Sequence, residues 1–321
     1  MNYRKYLIAP VWAAVTIFGS GAYAQQMTKI VVPFAPGGGT DVYVRMLAQE
    51  LTNRGTRVIV ENKPGASAVV AADYAAKAKP DGQTLVVSFL GMLGTNLIMF
   101  DKLPYDPKKD FTSISQIAYQ PTIIVGRSEL PYRNIKEMVE YAKANPGKIN
   151  RGSPGAAILS NLAPVAFEQS VGISTNHIPF NGDAQAIQAM LSGSIDIYGT
   201  SITSSLPHIK SGKFRVLGVM GAQRLPQAPD GPTFKEQGYN FEAPLRYYLS
   251  TRSGAPKETV DHLNKAINEV LKDPAFIERA HAVGMEPKGT TPQEMDKLLN
   301  EEIGRWNPMV KSLNLPKSDK S

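Results

Sequence analysis

The chain has 321 residues, no cysteine, and a formal net charge of +7 from 35 Lys and Arg against 28 Asp and Glu. The missing cysteines exclude a disulfide framework, a thiolate nucleophile and a lipid-modified N-terminal cysteine. The basic residues are scattered along the sequence, which argues against nucleic acid as a partner and is compatible with attraction of small anions.

The first 24 residues have the pattern of a signal peptide. Two basic residues precede an apolar run over residues 7–18, and Ala22-Tyr23-Ala24 matches the small-x-small cleavage pattern. The apolar run is short for a membrane span, and the sequence offers no second candidate. We therefore expect an exported, periplasmic protein whose mature chain begins near Gln25 and carries a net charge of +5 once the two basic leader residues are gone.

The chain beyond the leader is longer than a domain with one hydrophobic core usually is, so we expect two lobes. Short β-branched runs alternate with helical stretches, which predicts an α/β fold built from parallel βαβ units. The predicted strands are Ile30–Phe34, Arg57–Glu61, Thr84–Phe89, Thr122–Gly126, Ile195–Tyr198 and Phe214–Val219.

Three amphipathic helices have recognisable ends. Asn134 with Glu137, and Thr291 with Glu294, have the spacing of a capping box. A third helix, with apolar positions from Val260 to Leu271, is expected to end before Pro274.

Two strand–glycine–helix junctions are the strongest functional signals. In residues 29–41 an apolar strand runs into three glycines and a helix start, and residues 148–155 repeat the arrangement. Unpaired amides and the helix dipole favour an anion at such a point, although a tight turn that binds nothing has the same sequence. With one junction in each lobe, two sets of amides would converge on a single cleft.

Enzyme signatures are weak. Residues 37–42 match only the first two glycines of the dinucleotide fingerprint, no Walker lysine follows them, and no serine lies in a Gly-x-Ser-x-Gly elbow. The four histidines lack metal-ligand spacing. We expect no catalytic residue, no cofactor and no metal; an exported carboxylate-processing enzyme stays open as the competing hypothesis, because its groups could come together only in the fold.

Five segments resemble the Bug receptors (TctC family), the periplasmic solute-binding proteins of tripartite tricarboxylate transporters. They are residues 32–41, 60–66, 79–85, 103–111 and 206–213. The resemblance implies a two-lobed Venus-flytrap fold, each lobe a mostly parallel sheet flanked by helices. Lobe 1 would be residues 27–124 plus 246–321 and lobe 2 residues 125–245, with crossovers near 122–127 and 246–252.

The resemblance also implies that the two glycine junctions hold a ligand carboxylate through amides, hydroxyls and waters, with further contacts from neighbouring turns. Asp41 is expected to start a helix rather than touch the ligand, because two carboxylates repel each other. For Ser88 and Asn181 a satisfied turn residue is the alternative. The expected substrate-binding residues are Phe34, Gly38, Gly39, Thr40, Asp41, Ser88, Phe89, Gly91, Gly152, Ser153, Pro154, Gly155, Asn181, Gly182, Asp183, Thr200, Arg246 and Tyr247.

Some residues depart from the family pattern. Thr200 stands where members often carry an Asp that meets an amino group, which argues against an α-amino acid ligand. Arg151 and Asn161 replace an uncharged residue and a common His near the second junction. Arg246 replaces an uncharged residue; its guanidinium could take a second carboxylate, or it could be an ion-paired strand residue.

The sequence thus predicts a monomeric receptor that captures a carboxylate-bearing small molecule and delivers it to the membrane subunits of a tripartite tricarboxylate-type transporter. The favoured ligand is an aromatic or medium-chain dicarboxylate, with Phe34, Phe89 and Tyr247 as apolar walls. A sensory receptor of the same fold is the alternative to transport.

Overall fold

A computed structural model describes residues 27–154, 158–180, 182–315 and 317. The predicted signal peptide, Gly155 and Asn181 lie outside the described residues. The strands are β1 (Thr28–Val32), β2 (Val58–Asn62), β3 (Thr84–Ser88), β4 (Phe111–Arg127), β5 (Asn150–Ser153), β6 (Asn176–Pro179), β7 (Ile197–Thr200), β8 (Phe214–Met220), β9 (Pro244–Arg252) and β10 (Glu286–Pro287). The helices are α1 (Gly39–Asn53), α2 (Val69–Ala76), α3 (Asn96–Met99), α4 (Ile135–Ala144), α5 (Leu159–Val171), α6 (Asp183–Leu191), α7 (Ile202–Lys210), α8 (Lys257–Leu271), α9 (Pro274–Ala282) and α10 (Pro292–Ser312).

The strands form two groups joined through β4. Their order is β2-β1-β3-β9-β4-β7-β5-β6, with β8 and β10 also paired to β4. Residues 111–121 of β4 pair with β9, whereas residues 122–127 pair with β7 and β8. We call β1, β2, β3, β9, β10 and residues 111–121 of β4, with their helices, lobe 1. We call β5, β6, β7, β8 and residues 122–127 of β4, with their helices, lobe 2. Within the described residues no helix is long and apolar enough to cross a membrane.

The chain passes between the lobes where β4 and the segment before β9 lie side by side. Thr122 binds the carbonyl of Ala243 through both its amide, at 3.1 Å, and its hydroxyl, at 2.9 Å. These two residues lie close to the lobe boundaries expected from the sequence, which stay a prediction.

The α/β prediction and all six predicted strands are confirmed, but the sheet is not parallel throughout. β1 pairs in parallel with β2 and β3, and β5 with β6 and β7. Strands β4, β8, β9 and β10 pair antiparallel, since the long β4 crosses both lobes and its neighbours return beside it. The Asn134 and Thr291 caps form as expected, with a full capping box at Thr291.

Apolar contacts also cross between the lobes. Trp306 on α10 is 1% exposed and belongs to the same core cluster as Phe234 and Ile124 of lobe 2. Conversely, Leu162 on α5 packs into the cluster that holds Phe89 of lobe 1. The C-terminal helix therefore ties the two lobes together in addition to the crossover segments.

The turn after β2 is strained. Ala66, Ser67 and Ala68 follow one another with φ of 45°, 52° and 73°, in the left-handed region that favours glycine. We expect Ser67→Gly to raise the free energy of unfolding by about 0.5–1 kcal/mol, because glycine adopts this conformation without a Cβ penalty. Urea denaturation of the purified protein measures it.

A matched control is Ala144→Gly, which makes a comparable change at the exposed end of a right-handed helix. It should lower the stability by about 0.5–1 kcal/mol. If Ser67→Gly lowered the stability by as much as this control, the left-handed strain would not exist in solution.

Candidate functional site

The loop from Pro33 to Gly38 (the first loop) leads from β1 into α1. Gly37 has a φ of 82°, which a residue with a Cβ rarely adopts. Gly38 caps the helix and supplies no side-chain acceptor for the first amides. The start of α1 can therefore present backbone N–H groups to an anion.

Asp41 stabilises the first loop through hydrogen bonds of its carboxylate. Its carboxylate accepts hydrogen bonds from the Gly37 amide at 2.8 Å, from Nε of Arg45 at 3.0 Å and from Nδ2 of Asn62 at 2.7 Å. Burial opposes ionisation, but these hydrogen bonds outweigh it and hold the pKa of Asp41 below its usual value. The predicted helix-start role fits this geometry; the inclusion of Asp41 among the ligand contacts does not, because its acceptors are already engaged.

Three aromatic side chains stand beside the first loop. The Phe34 ring stacks on Phe89 with a centroid distance of 5.5 Å and meets Tyr247 edge-on at 6.5 Å. Gly91 makes room for this wall, because a Cβ there would lie 2.5 Å from the Phe89 ring. The start of α5 reaches the same apolar cluster through Ile158. The beginnings of α1 and α5, one from each lobe, thus border one aromatic surface.

A polar chain connects the lobes at the same place. Gln120 donates from Nε2 to the Tyr247 hydroxyl at 3.0 Å and accepts from Oγ1 of Thr203 at 3.3 Å. Thr203 also lies against the first loop, since a Cβ added to Gly39 would come within 2.3 Å of its Cγ2. Thr40 also lies near the Tyr247 hydroxyl, where it opposes the burial that raises the pKa of Tyr247. The lobes therefore meet directly over the start of α1.

The second loop begins with Ser153 and Pro154 at the end of β5. The Ser153 side chain is fully buried and its hydroxyl lies 2.8 Å from Nε2 of His177 on β6. Gly152 does not fit its predicted role as a ligand contact. It lies inside the ladder between β6 and β7, where a Cβ would meet Ile195 at 2.4 Å, so glycine is required there for packing.

The Ser153–His177 pair has the atoms of a nucleophile and a base, but not the electrostatics. Burial, with the nearby charge of Arg151, lowers the pKa of His177 to about 4. An imidazole with that pKa is a weak base at neutral pH, and the serine has no solvent-accessible surface. The geometry supports a fixed hydroxyl beside the second loop rather than an acylation site.

A buried ionic network lies beneath the second loop. Arg151 is 1% exposed and donates from Nε to Glu168 at 2.8 Å and to Thr175 at 3.1 Å. Its Nη1 donates to Oδ1 of Asn161 at 2.8 Å. Two residues that depart from the family pattern, Arg151 and Asn161, are thus hydrogen-bonded to each other, and the network fixes β5 against α5.

Asp183 and Thr200 come together in lobe 2. Gly182, with a φ of 103°, caps α6, and Asp183 is its first residue. The Asp183 carboxyl accepts hydrogen bonds from the Thr200 hydroxyl at 3.1 Å and from the Tyr198 hydroxyl. The carboxyl group of Asp183 therefore lies beside Thr200.

Two residues predicted to contact the ligand have bonding partners within the protein. Arg246 lies on the face of β9 opposite Tyr247, and its Nη1 forms a 2.8 Å ion pair with Oε1 of Glu302. Oε2 of Glu302 accepts a hydrogen bond from the Tyr248 hydroxyl. The alternative reading, an ion-paired strand residue, describes it. Ser88 is fully buried and hydrogen-bonds to the Ser250 hydroxyl at 2.8 Å, so it is a satisfied sheet residue.

Sequence reasoning missed five polar residues of this region: Gln120, His177, Tyr198, Thr203 and Ser204. One signal was available for His177, because strand ends in a parallel sheet meet at one edge and its strand follows the second glycine junction. Gln120 lies near the middle of the 17-residue β4, and no local pattern marks the point where a strand passes between lobes.

The comparisons with known proteins agree with this fold. The sequence matches the family described as "Tripartite tricarboxylate transporter family receptor" over residues 43–315. The periplasmic binding protein BugD is 31% identical and has a TM-score of 0.84, with 92% of this chain and 100% of that chain covered.

Two further solved structures carry ligands. Rpa4515 of R. palustris with adipate is 27% identical with a TM-score of 0.87, covering 92% of this chain and 99% of that chain. MatC of Rhodopseudomonas palustris with bound malate is 29% identical with a TM-score of 0.79, covering 88% and 99%. The family match spans most of the chain and the fold agrees throughout, so this protein belongs to the tripartite tricarboxylate transporter receptor family.

Proposed function

We propose that this protein is a periplasmic receptor that captures a carboxylate-bearing small molecule between its two lobes and delivers it to a tripartite tricarboxylate-type membrane transporter. The observation that carries the proposal is the start of α1, which has no side-chain cap and lies between an aromatic wall and Thr203 of the other lobe. Amides at such a start favour a carboxylate.

The charges around the cleft support backbone recognition of the carboxylate. Of the basic side chains near it, Arg45 pairs with Asp41, Arg151 with Glu168 and Arg246 with Glu302. Their charges are already compensated. The first loop, with Thr40, is then left as the source of donors, and Phe34, Phe89 and Tyr247 supply apolar contact for the carbon chain.

The ligand class follows in part from the comparisons. Adipate and malate, bound by two relatives, are both dicarboxylates, so diacids are the first compounds to test. The sequence-based reason for a diacid was Arg246, which we leave out of the clamp because Glu302 occupies its guanidinium.

Lobe closure provides the mechanism of capture. Contacts from both lobes to one ligand exist only when the lobes are closed, so ligand binding shifts the population toward that state. The membrane subunits then recognise the closed outline, and the protein performs no chemistry on its ligand.

A thermal-shift panel tests the proposal, with linear C3–C8 monocarboxylates, dicarboxylates and amino acids, aromatic acids, and the amides of each as controls. At a hundredfold excess over Kd a ligand adds about 2.7 kcal/mol of stability, which raises Tm by several degrees. We expect at least one acid, and no amide, to do so. Each hit is then incubated with the protein and followed by NMR, where any turnover would establish an enzyme instead of a receptor.

Delivery to a transporter is tested in the source cells. Deletion of this receptor should abolish uptake of the radiolabelled hit, and the wild-type protein supplied on a plasmid should restore it. Unchanged uptake with lost transcriptional response to the compound would identify a sensory receptor.

A further inference from the structure

One carboxyl group at the meeting point of the lobes has no cationic partner among the described residues. Asp183 is half-buried, and its hydrogen bonds come from hydroxyl groups: Tyr198, Thr200 at 3.1 Å, and Ser204. Among the ion pairs of the described residues none includes Asp183, whereas the other acidic groups near the cleft, Asp41, Glu168 and Glu302, each bind an arginine.

Hydroxyl groups solvate a carboxylate but do not neutralise it. Burial raises the pKa of Asp183, and the three hydroxyls offset this only in part. The ionised group therefore costs free energy in the closed protein unless a positive charge arrives with the ligand. The Tyr198 and Thr200 hydroxyls both bind Oδ1, so these two hydroxyls lie on one side of the carboxyl group.

The position of Asp183 matches a ligand held by the first loop. Its charge acts on the Tyr247 hydroxyl of lobe 1, which itself lies near Thr40 at the start of α1. Ser204, a partner of Asp183, is adjacent in α7 to Thr203, which lies against Gly39. A small molecule whose carboxylate sits on the α1 amides therefore lies within the same small region as the Asp183 carboxyl.

We propose that Asp183 binds a protonated amino group, so that the ligand is an amino acid or another amino carboxylate. This rests on the proposed function, because the loop amides must hold the carboxylate of the same molecule. It also removes the sequence-based argument against an amino group: position 200 is a threonine, but Asp183 brings a carboxyl to its hydroxyl from another part of the chain.

Matched pairs of compounds test this inference by titration calorimetry. Each pair differs in one amino group: alanine and propionate, aspartate and succinate, glutamate and glutarate, 2-aminoadipate and adipate, phenylalanine and 3-phenylpropionate. For the pair that binds best, we expect the amino member to bind at least about tenfold more tightly, the effect of one charge-assisted contact.

The variant Asp183→Asn keeps the size and one acceptor of the side chain but removes the charge. This variant should bind the two members of the pair about equally, and it should still bind the acid without an amino group. The matched control is Asp230→Asn, at an exposed position of lobe 2, which should keep the full preference.

The outcomes separate this inference from the proposed function. Equal or tighter binding of the acid without the amino group by the wild-type protein overturns the role of Asp183 and leaves the carboxylate receptor intact; a protonated Asp183 that donates to a second carboxyl would give this result. An amino preference that survives Asp183→Asn also overturns it. If no member of any pair binds, this inference fails, and the thermal-shift panel alone decides the proposed function. The wild-type ratio decides the inference even where the variant does not fold.

Discussion

Replacing Arg151 with methionine is expected to lower the free energy of unfolding by about 3–5 kcal/mol. The guanidinium is buried and compensates Glu168, whose side chain is 9% exposed. Without it, the protein must either bury an unpaired carboxylate or protonate it, and the acceptors of Thr175 and Asn161 also lose their donor. Urea denaturation of both proteins at pH 7 gives the difference.

The control for this prediction is Arg224→Met. Arg224 also forms an ion pair, with Glu236 at 2.9 Å, but the two side chains are 47% and 45% exposed. Its loss should cost no more than about 1 kcal/mol. A double variant, Arg151→Met with Glu168→Leu, removes both charges and should recover most of the lost stability. Equal losses for Arg151→Met and Arg224→Met would contradict the buried network.

Substituting Gly39 by alanine is expected to weaken ligand binding about tenfold to a hundredfold while leaving the stability of the unliganded protein nearly unchanged. A Cβ at this position would lie 2.3 Å from Cγ2 and 2.5 Å from Cβ of Thr203. The two residues belong to different lobes, so an opening of the lobes in the unliganded protein would relieve the clash. Calorimetry with the best acid of the panel, and a melt without ligand, measure the two effects.

A second substitution in the other lobe shows whether the clash is the cause. Thr203→Gly removes the atoms that the new methyl group would meet, so it should restore most of the affinity of the Gly39→Ala variant. Gly304→Ala adds a methyl group where no atom lies within 4 Å and serves as the control. Undiminished affinity in Gly39→Ala would mean that the first loop and α7 do not approach each other in the liganded protein.

Sequence patterns predicted the parts of the fold that depend on neighbouring residues. The caps at Asn134 and Thr291 and the glycines of the first loop depend on residues only three or four positions apart. The structure contains all of them as expected. Strand direction was predicted less well. β4 is a single strand of 17 residues that belongs to both lobes. No pattern within residues 111–121 predicts that they pair antiparallel with β9.

The binding region shows the same division. Phe34, Gly39 and Thr40 follow directly from a local motif. Asp183 was named because of its turn, but its meeting with Thr200 and Tyr198 depends on how α6 packs on β7. The sequence-based argument treated position 200 by itself and therefore missed a carboxyl supplied from another position.

Arg246 also has a partner that only the fold brings close. A guanidinium beside a predicted aromatic wall suggested a ligand contact, yet alternation along β9 turns Arg246 and Tyr247 to opposite faces. Glu302, 56 residues further along the chain, meets the guanidinium from α10. Only the placement of that helix reveals the pair.

One calorimetric comparison decides whether a carboxylate is held between the lobes at the start of α1. The acid that most stabilises the protein is titrated beside its primary amide, which has the same shape and no charge. We expect the acid to bind at least about a hundredfold more tightly, as the loss of charge-assisted contacts predicts. An amide that binds as tightly as its acid would contradict recognition of a carboxylate at the start of α1.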